Sequence, residues 1–261
     1  MQLCQPVPAI FTMPYEPMYS YGSREDELMI TVAKIPGLQH LANIYLTKSG
    51  ATTERFDELI CHATILDREL SCWASNASAT WSYSAASNAN TFARFEFYPR
   101  QVHRYQDYYT ARVWNLYRVS RLIVQSLLLR ALTKLPDASS QMELNRADIE
   151  RRGKELVDHI CASVPFLLGR DLSKMTLPAA KGAGEQENIR QTQSSRTGTF
   201  SLLWPLYVAR SAPLIPAAQQ EWMRLQLQLI TEQWEPQARC LCQTESQILL
   251  GGTETFRFDC V

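Results

Sequence analysis

The sequence RYQDYYTARVWNLYRVSRLIVQSLLLRALTK, residues 104–134, decides the fold class. Projected at 100° per residue, its apolar side chains cover one wide helical face, and further valines and leucines lie on the opposite side. A helix that is apolar nearly all round is a buried helix. We therefore expect residues 104–134 to form a long buried helix, with Tyr109 on its apolar face.

Helical patterns continue on both sides of this segment. They predict helices over residues 25–48 (broken at Pro36-Gly37), 53–75, 142–168 and 217–234, and a last helical piece within 236–249. In residues 200–216, FSLLWPLYVARSAPLIP, we expect Pro205 near the first turn of a short helix and Pro216 at the start of the next. This stretch is therefore predicted to form a corner between two helices.

The sequence as a whole predicts an all-α, multi-helix single domain over residues 25–261. It shows no internal repeat and no convincing series of alternating strands. Residues 1–24 read as an extended proline-rich arm. Residues 171–198, rich in Gln, Ser, Gly and charge, read as a mobile loop inserted into the domain.

Composition narrows the compartment and the class of partner. The 261 residues carry 26 basic and 26 acidic side chains, so net charge gives no sign of a polyanion binder. Seven scattered cysteines favour a reducing compartment over a disulfide framework. No apolar run approaches the ~18 residues of a membrane span, and residues 1–20 lack the pattern of a signal peptide. We expect an intracellular protein, nuclear or cytoplasmic, that has no contact with a membrane.

Several short motifs, in order, resemble one family. They are ILDRELSCWA and TWSY within residues 65–83, YYTARVWNLYRVSRL (108–122), ICASVPFLLG (160–169) and FSLLWPLYVARSAPLIPAAQQEWMRLQLQLI (200–230). Together they resemble the C-terminal regulatory domain of fungal zinc-binuclear-cluster transcription factors, over roughly residues 30–245. The resemblance implies an all-helical domain that normally lies downstream of a DNA-binding head with six cysteines and two zinc ions.

That zinc-cluster head has no counterpart among these residues. Cys240 and Cys242 are the closest cysteine pair, and no further cysteines lie at ligand spacing. We therefore expect no metal, no cofactor and no direct contact with nucleic acid. The expected partner is an apolar small molecule, with a protein partner or a homodimer as alternatives.

Two arginines are the most informative polar residues of the long helix. Arg118 and Arg121 lie within about 40° of Asp107, Trp114 and Gln125 in helical projection. A guanidinium on a largely buried helix needs an acidic or carbonyl partner, and Asp67 is a candidate on the neighbouring helix. Two interpretations stay open: a buried Arg–Asp network that fixes helix packing, or the anion-binding wall of a pocket.

Further candidate site residues follow from residue type. Aromatic residues that would line an apolar cavity, beside Arg121, are Trp114, Tyr117, Trp204 and Tyr207. If the protein is an enzyme, the candidates for acid–base chemistry are His62, Asp67, Asp107, Arg118 and His159. The sequence carries no G-x-S-x-G, H-E-x-x-H, P-loop or dinucleotide-binding motif.

Two functions from different classes remain, beside a third possibility, a truncated gene product with no independent role. The first is a regulatory or interaction module that resembles the effector domain of fungal transcription factors. The second is a cofactor-independent cyclase or isomerase of fungal secondary metabolism, which would hold a reactive substrate in an apolar cavity and polarise a carbonyl. Catalysis of that kind leaves no sequence signature.

Overall fold

The fold is all-α, as the sequence predicts, with one small two-stranded sheet. The computed structural model describes residues 24–47, 52–87, 97–135, 140–170, 198–212 and 215–233. The helices are α1 (Arg24–Val32), α2 (Ile35–Thr47), α3 (Thr53–Thr80), α4 (Tyr108–Leu132), α5 (Ser140–Leu167), α6 (Leu203–Arg210) and α7 (Ala217–Gln233). Residues 1–23, 171–197 and 236–249 lie outside the described residues, and with them nearly all of the expected arm and insert loop and the last predicted helix.

A hairpin between α3 and α4 is the main departure from the predicted elements. Strand β1 (Ser84–Ser87) pairs antiparallel with β2 (Gln101–Arg104), so that Ala85 lies opposite His103. Helix α4 consequently begins after the predicted residue 104. The Asp107 carboxylate accepts the backbone N–H of Thr110 at 2.7 Å and caps the new start of the helix.

The corner at residues 200–216 is confirmed. Pro205 is the third residue of α6, within the first turn, where the missing N–H costs little. The carbonyl of Pro216 accepts the N–H groups of Gln219 at 2.9 Å and Gln220 at 3.0 Å, which starts α7. Along α4, Tyr109 is 45% exposed and so does not join the buried face that the sequence predicts for it.

Two glycines are required by the backbone near the end of α5. Gly169 has a φ of 63°, and the next N–H, that of Arg170, reaches back to the carbonyl of Pro165 at 3.0 Å. A Cβ at Gly198 would collide with the carbonyl oxygen of Leu167 and the ring of Tyr108. These glycines let the chain turn away from α5 and return closely to it.

The chain divides into two compact units. The first comprises residues 1–77, 120–153 and 246–261, and the second comprises residues 78–119 and 154–245. The boundaries fall inside α3, α4 and α5, so each of these helices contributes to both units. Whether residues 25–261 form one domain stays a prediction. None of the described helices is long and apolar enough to cross a membrane.

Each unit has its own apolar core. In the first unit the fully buried side chains include Leu28, Leu59, Leu70, Leu122 and Leu127. In the second they include Leu167, Leu202, Leu206, Tyr207 and Trp222, and α6 packs against α7. The two candidate sites described below lie one in each unit.

Candidate functional site

The first unit contains an ion-pair network that we call the Asp67 cluster: Asp67, Arg121, Gln125 and Arg152. The Asp67 carboxylate on α3 accepts Nε of Arg121 at 2.7 Å and Nη2 at 3.2 Å, a two-point pair. Gln125 Nε2 donates to the same carboxylate at 2.6 Å, and Arg152 Nη1 on α5 lies 3.5 Å away. The structure thus confirms the Arg–Asp network as far as Arg121 is concerned.

The Asp67–Arg121 pair at the centre of this network is largely buried, whereas the side chain of Arg152 is 38% exposed. The side chains of Arg121 and Asp67 are 16% and 10% exposed. The positive charge of Arg121 is compensated by the negative charge of Asp67. The pair links α3 and α4, the two long helices that carry these residues. The geometry of the Asp67 cluster is that of a structural ion pair.

The second unit holds Arg118 in a different environment, which we call the Arg118 cluster: Tyr83, His103, Tyr105, Trp114, Asn115, Arg118 and His159. Arg118 is 1% exposed. Its Nη1 donates to the Tyr105 hydroxyl at 2.6 Å and to Asn115 Oδ1 at 2.8 Å. The guanidinium carbon lies 5.2 Å from the ring centroid of Tyr83 and 5.7 Å from those of Tyr105 and Trp114.

The Arg118 cluster has no internal counter-charge in the described part of the chain. Every hydrogen-bond partner of Arg118 there is neutral, and none of the ion pairs involves this residue. Three aromatic faces offset part of the cost of burying the cation, at up to about 2 kcal/mol for a well-desolvated contact. The cluster therefore carries one positive charge that its own side chains do not neutralise.

Hydrogen-bond roles in the cluster follow from the fact that a guanidinium only donates. The Tyr105 hydroxyl accepts from Arg118 and so directs its own proton to Nδ1 of His103, 3.0 Å away. Arg118 Nη2 lies 3.5 Å from the same nitrogen. His103 Nδ1 is therefore an acceptor, and its ring proton is assigned to Nε2.

A second chain of hydrogen bonds anchors the arginine to α5. Asn115 accepts from Arg118 through Oδ1 and donates through Nδ2 to the Ser163 hydroxyl at 2.9 Å. Ser163 in turn donates to the carbonyl of Ile160 at 2.7 Å. The guanidinium is consequently held in one orientation.

Both histidines of the cluster are neutral at physiological pH. Burial, then the charge of Arg118, lowers the pKa of His103 to about 2. The same two causes lower the pKa of His159, against a smaller opposing effect of Asp158 and Glu155. Burial also raises the pKa of Tyr105 to about 12. Arg118 is thus surrounded by uncharged donors and rings, with the ring of His159 centred 5.2 Å from that of His103.

The structure brings together some of the predicted site residues. Arg118, Trp114 and His159 belong to the Arg118 cluster, and the ring of Tyr117 lies 5.7 Å from that of Trp114. Asp67 and Arg121 pair in the first unit, and Asp107 is an exposed helix cap.

The remaining predicted site residues lie in other places. His62 is exposed on α3, where it lines an open groove of about 240 Å³ with Leu38, Leu66 and neighbouring side chains. Trp204 and Tyr207 stack on each other on α6 with ring centroids 6.2 Å apart. Neither ring has a described contact with the Arg118 cluster. In the described residues no group of three or more His, Cys, Asp or Glu side chains is placed to hold a metal ion.

The sequence analysis does not predict four residues of the cluster as site residues: Tyr83, His103, Tyr105 and Asn115. The first three come from the hairpin region, which the helical patterns do not predict. Tyr83 does close the TWSY motif, and Asn115 lies three residues before Arg118 on the same helix. These two positions are the features of the sequence from which Tyr83 and Asn115 can be predicted as members of the site.

Comparison with known proteins finds one informative relative. The chain is similar to the transcription factor dbaG of Emericella nidulans, with 33% identity over 177 residues. The match covers 65% of this chain and 40% of that protein, so the chain spans less than half the length of its relative. The protein is thus related to a fungal transcription factor. No family model and no solved structure matches the chain.

Proposed function

We propose that this chain is a helical regulatory domain of the fungal transcription-factor kind that binds a small molecule at the Arg118 cluster and does not itself read DNA. The relationship to a transcription factor supports the regulatory class. The observation that carries the binding site is a nearly fully buried arginine without a counter-charge in the described residues. Its place of action would be the nucleus or the cytoplasm.

A buried arginine of this kind favours a ligand site over a packing device. Charged side chains are rarely buried completely unless an opposite charge pairs with them. Where an arginine of this chain links two packed helices, as Arg121 does, it is paired with a carboxylate, that of Asp67. Pre-set hydrogen-bond donors surrounded by aromatic rings are typical of sites that orient one polar group of a mostly apolar ligand. No cofactor is needed for this role. A protein partner or a second copy of the chain stays a prediction.

The proposal is tested by native mass spectrometry of the purified chain after incubation with small molecules extracted from the organism that makes it. We expect a ligand-sized mass increase in the wild-type chain that is absent from an Arg118→Met variant. Arg112→Met is the matched control, because Arg112 lies on the same helix, also over a tyrosine ring (Tyr109, 5.1 Å), but is exposed. No mass increase, or one that survives in the folded Arg118→Met variant, would contradict the proposal.

The second candidate, a cofactor-free cyclase or isomerase, is favoured by the donors that Arg118 and His103 present together. Such donors would stabilise charge that develops on a carbonyl oxygen. His103 would act as a hydrogen-bond donor, since a histidine with a pKa of about 2 is a weak base. Turnover separates the two functions: an enzyme converts the bound compound into an isomer of the same mass, and a regulatory domain releases it unchanged.

A further inference from the structure

We infer that the occupant of the Arg118 cluster carries an acidic oxygen, a carboxylate or a phenolate, on a flat aromatic ring. This inference rests on the proposed small-molecule site and specifies the chemistry of its ligand. It specifies an aromatic acid where the sequence predicts an apolar small molecule.

The charge of the cluster is the first argument. One guanidinium is buried among neutral side chains, so an anion that reaches it gains an attraction that is only weakly screened by water. A neutral apolar ligand would leave that charge as it is. Only a ligand that carries a negative charge or a strongly polarised oxygen gains binding energy from the charge of Arg118.

Open hydrogen-bonding positions on the two histidines are the second argument. In the described part of the chain no hydrogen bond uses Nε2 of His103 or either ring nitrogen of His159. With Nδ1 of His103 engaged by Tyr105, its Nε2 proton has no acceptor among the described residues and can be donated to an oxygen. His159, whose ring lies against that of His103, offers a second N–H. Two neutral donors beside a cation suit a carboxylate or a phenolate.

The position of Tyr83 is the third argument, and it places the ring of the ligand. Tyr83 is half-buried and lies in the irregular segment 81–83 between α3 and β1. Its ring covers the guanidinium of Arg118 and lies 4.5 Å from the ring of His103 and 5.3 Å from that of Trp114. Arg118, His103 and Trp114 are themselves buried on regular elements. A flat ligand ring would therefore displace Tyr83 and stack where its ring now lies.

The charge of the ligand is tested with two probes of the same shape, 2-naphthoate and neutral 2-naphthamide, by calorimetric titration of the full chain. We expect 2-naphthoate to bind at least tenfold more tightly. The preference should vanish in Arg118→Met and persist in Arg112→Met. Equal affinity for both probes, with dependence on Arg118, would overturn the acidic ligand and leave the proposed site standing. Binding that ignores Arg118 would overturn both.

A second variant keeps the test decisive if Arg118→Met does not fold. Tyr83→Ala retains the arginine and removes the ring that competes with the ligand. We expect it to bind 2-naphthoate at least threefold more tightly than wild type. Tyr109→Ala, which removes an exposed ring that packs on Trp81 in the same unit, should change nothing. Unchanged or weaker binding in Tyr83→Ala would overturn the placement of the ligand ring.

Discussion

Arg118 and Arg121 lie three residues apart on α4, yet they have opposite surroundings. Arg121 makes a two-point pair with the carboxylate of Asp67 in the first unit. Arg118, in the second unit, donates to a phenol and an amide and is covered by three aromatic rings. The same residue type has a carboxylate partner in one place and, among the described residues, none in the other.

This difference separates a structural role from a binding role. A cation whose counter-charge is built in contributes to stability, and losing either partner weakens the compensation of the buried charge that remains. When a cation that has no counter-charge is removed, no buried carboxylate loses its partner. Stability measurements should therefore respond strongly to the Asp67 cluster, and ligand binding should respond to the Arg118 cluster.

The largest expected effect is the loss of the Asp67 carboxylate. Asp67→Ala removes the carboxylate to which both Arg121 and Gln125 donate, so we expect the free energy of unfolding to fall by about 3–5 kcal/mol. Urea denaturation measures it. Glu150→Ala, which removes a carboxylate paired with the exposed Arg146 on α5, should cost less than about 1 kcal/mol. Equal losses of unfolding free energy in the two variants would show that the Asp67 cluster is no more important for stability than a surface ion pair.

Acidification should act on the second unit through His103. Its folded pKa of about 2 lies below the ordinary value of 6.5, so the unfolded chain takes up a proton first and stability falls as pH falls. Between pH 6 and pH 4 this histidine should cost about 2–3 kcal/mol. Among the described residues, the titratable groups that contact it are Arg118, His159, Tyr105 and Tyr83.

The measurement is the urea unfolding free energy at both pH values, compared between variants, because carboxylates also titrate in this range. His103→Gln should flatten the loss, whereas His62→Gln, at an exposed histidine of α3, should leave it unchanged. A loss in His103→Gln as steep as in wild type would show that this buried histidine does not cause the acid sensitivity.

Giving Arg118 a carboxylate should convert it to the kind of site that Arg121 occupies. Asn115→Asp would place an anion at the position of Oδ1, 2.8 Å from the guanidinium. We expect about tenfold weaker binding of 2-naphthoate and a change in stability of only about 1 kcal/mol, because a new ion pair offsets the lost bond to Ser163. Asn145→Asp, on the surface of α5, is the control. Undiminished binding would show that the charge of Arg118 is not what the ligand uses.

The smallest effect is expected at the surface of the first unit. Lys34 and Glu69 form an ion pair at 2.7 Å with both side chains more than a third exposed. Lys34→Ala should lower the free energy of unfolding by about 0.2–1 kcal/mol, and less in high salt. A cost as large as that of Asp67→Ala would mean that burial does not determine the strength of these pairs.

The sequence predicts the long helices and the aspartate at the centre of the Asp67 cluster, but not Arg152, and it places a helix break at Pro36-Gly37, which lie inside α2. Periodic apolar residues predict α3, α4 and α5 to within a few residues, since burial of one face dictates that spacing. Asp67 and Arg121 lie on two such helices, so their projection was enough to suggest the pair. Pro205 and Pro216 likewise have fixed local consequences, and the corner between α6 and α7 follows from them.

The Arg118 cluster could not be assembled in the same way. Its hairpin strands, SAAS and QVHR, are short and lack an alternating apolar pattern, so their pairing depends on tertiary contacts. That pairing brings His103 and Tyr105 to a helix whose own sequence gives no sign of them. Tyr83 comes from an irregular segment, where no periodicity applies.

The most direct test of this account compares Arg118→Met with Arg121→Met for both unfolding free energy and affinity for 2-naphthoate. We predict that Arg121→Met loses about 3 kcal/mol or more of stability, while its folded fraction binds the probe as wild type does. Arg118→Met should lose about 1–2 kcal/mol and most of its affinity. The reverse pattern, a large loss of stability at Arg118 together with undiminished binding, would contradict the assignment of Arg118 to a ligand.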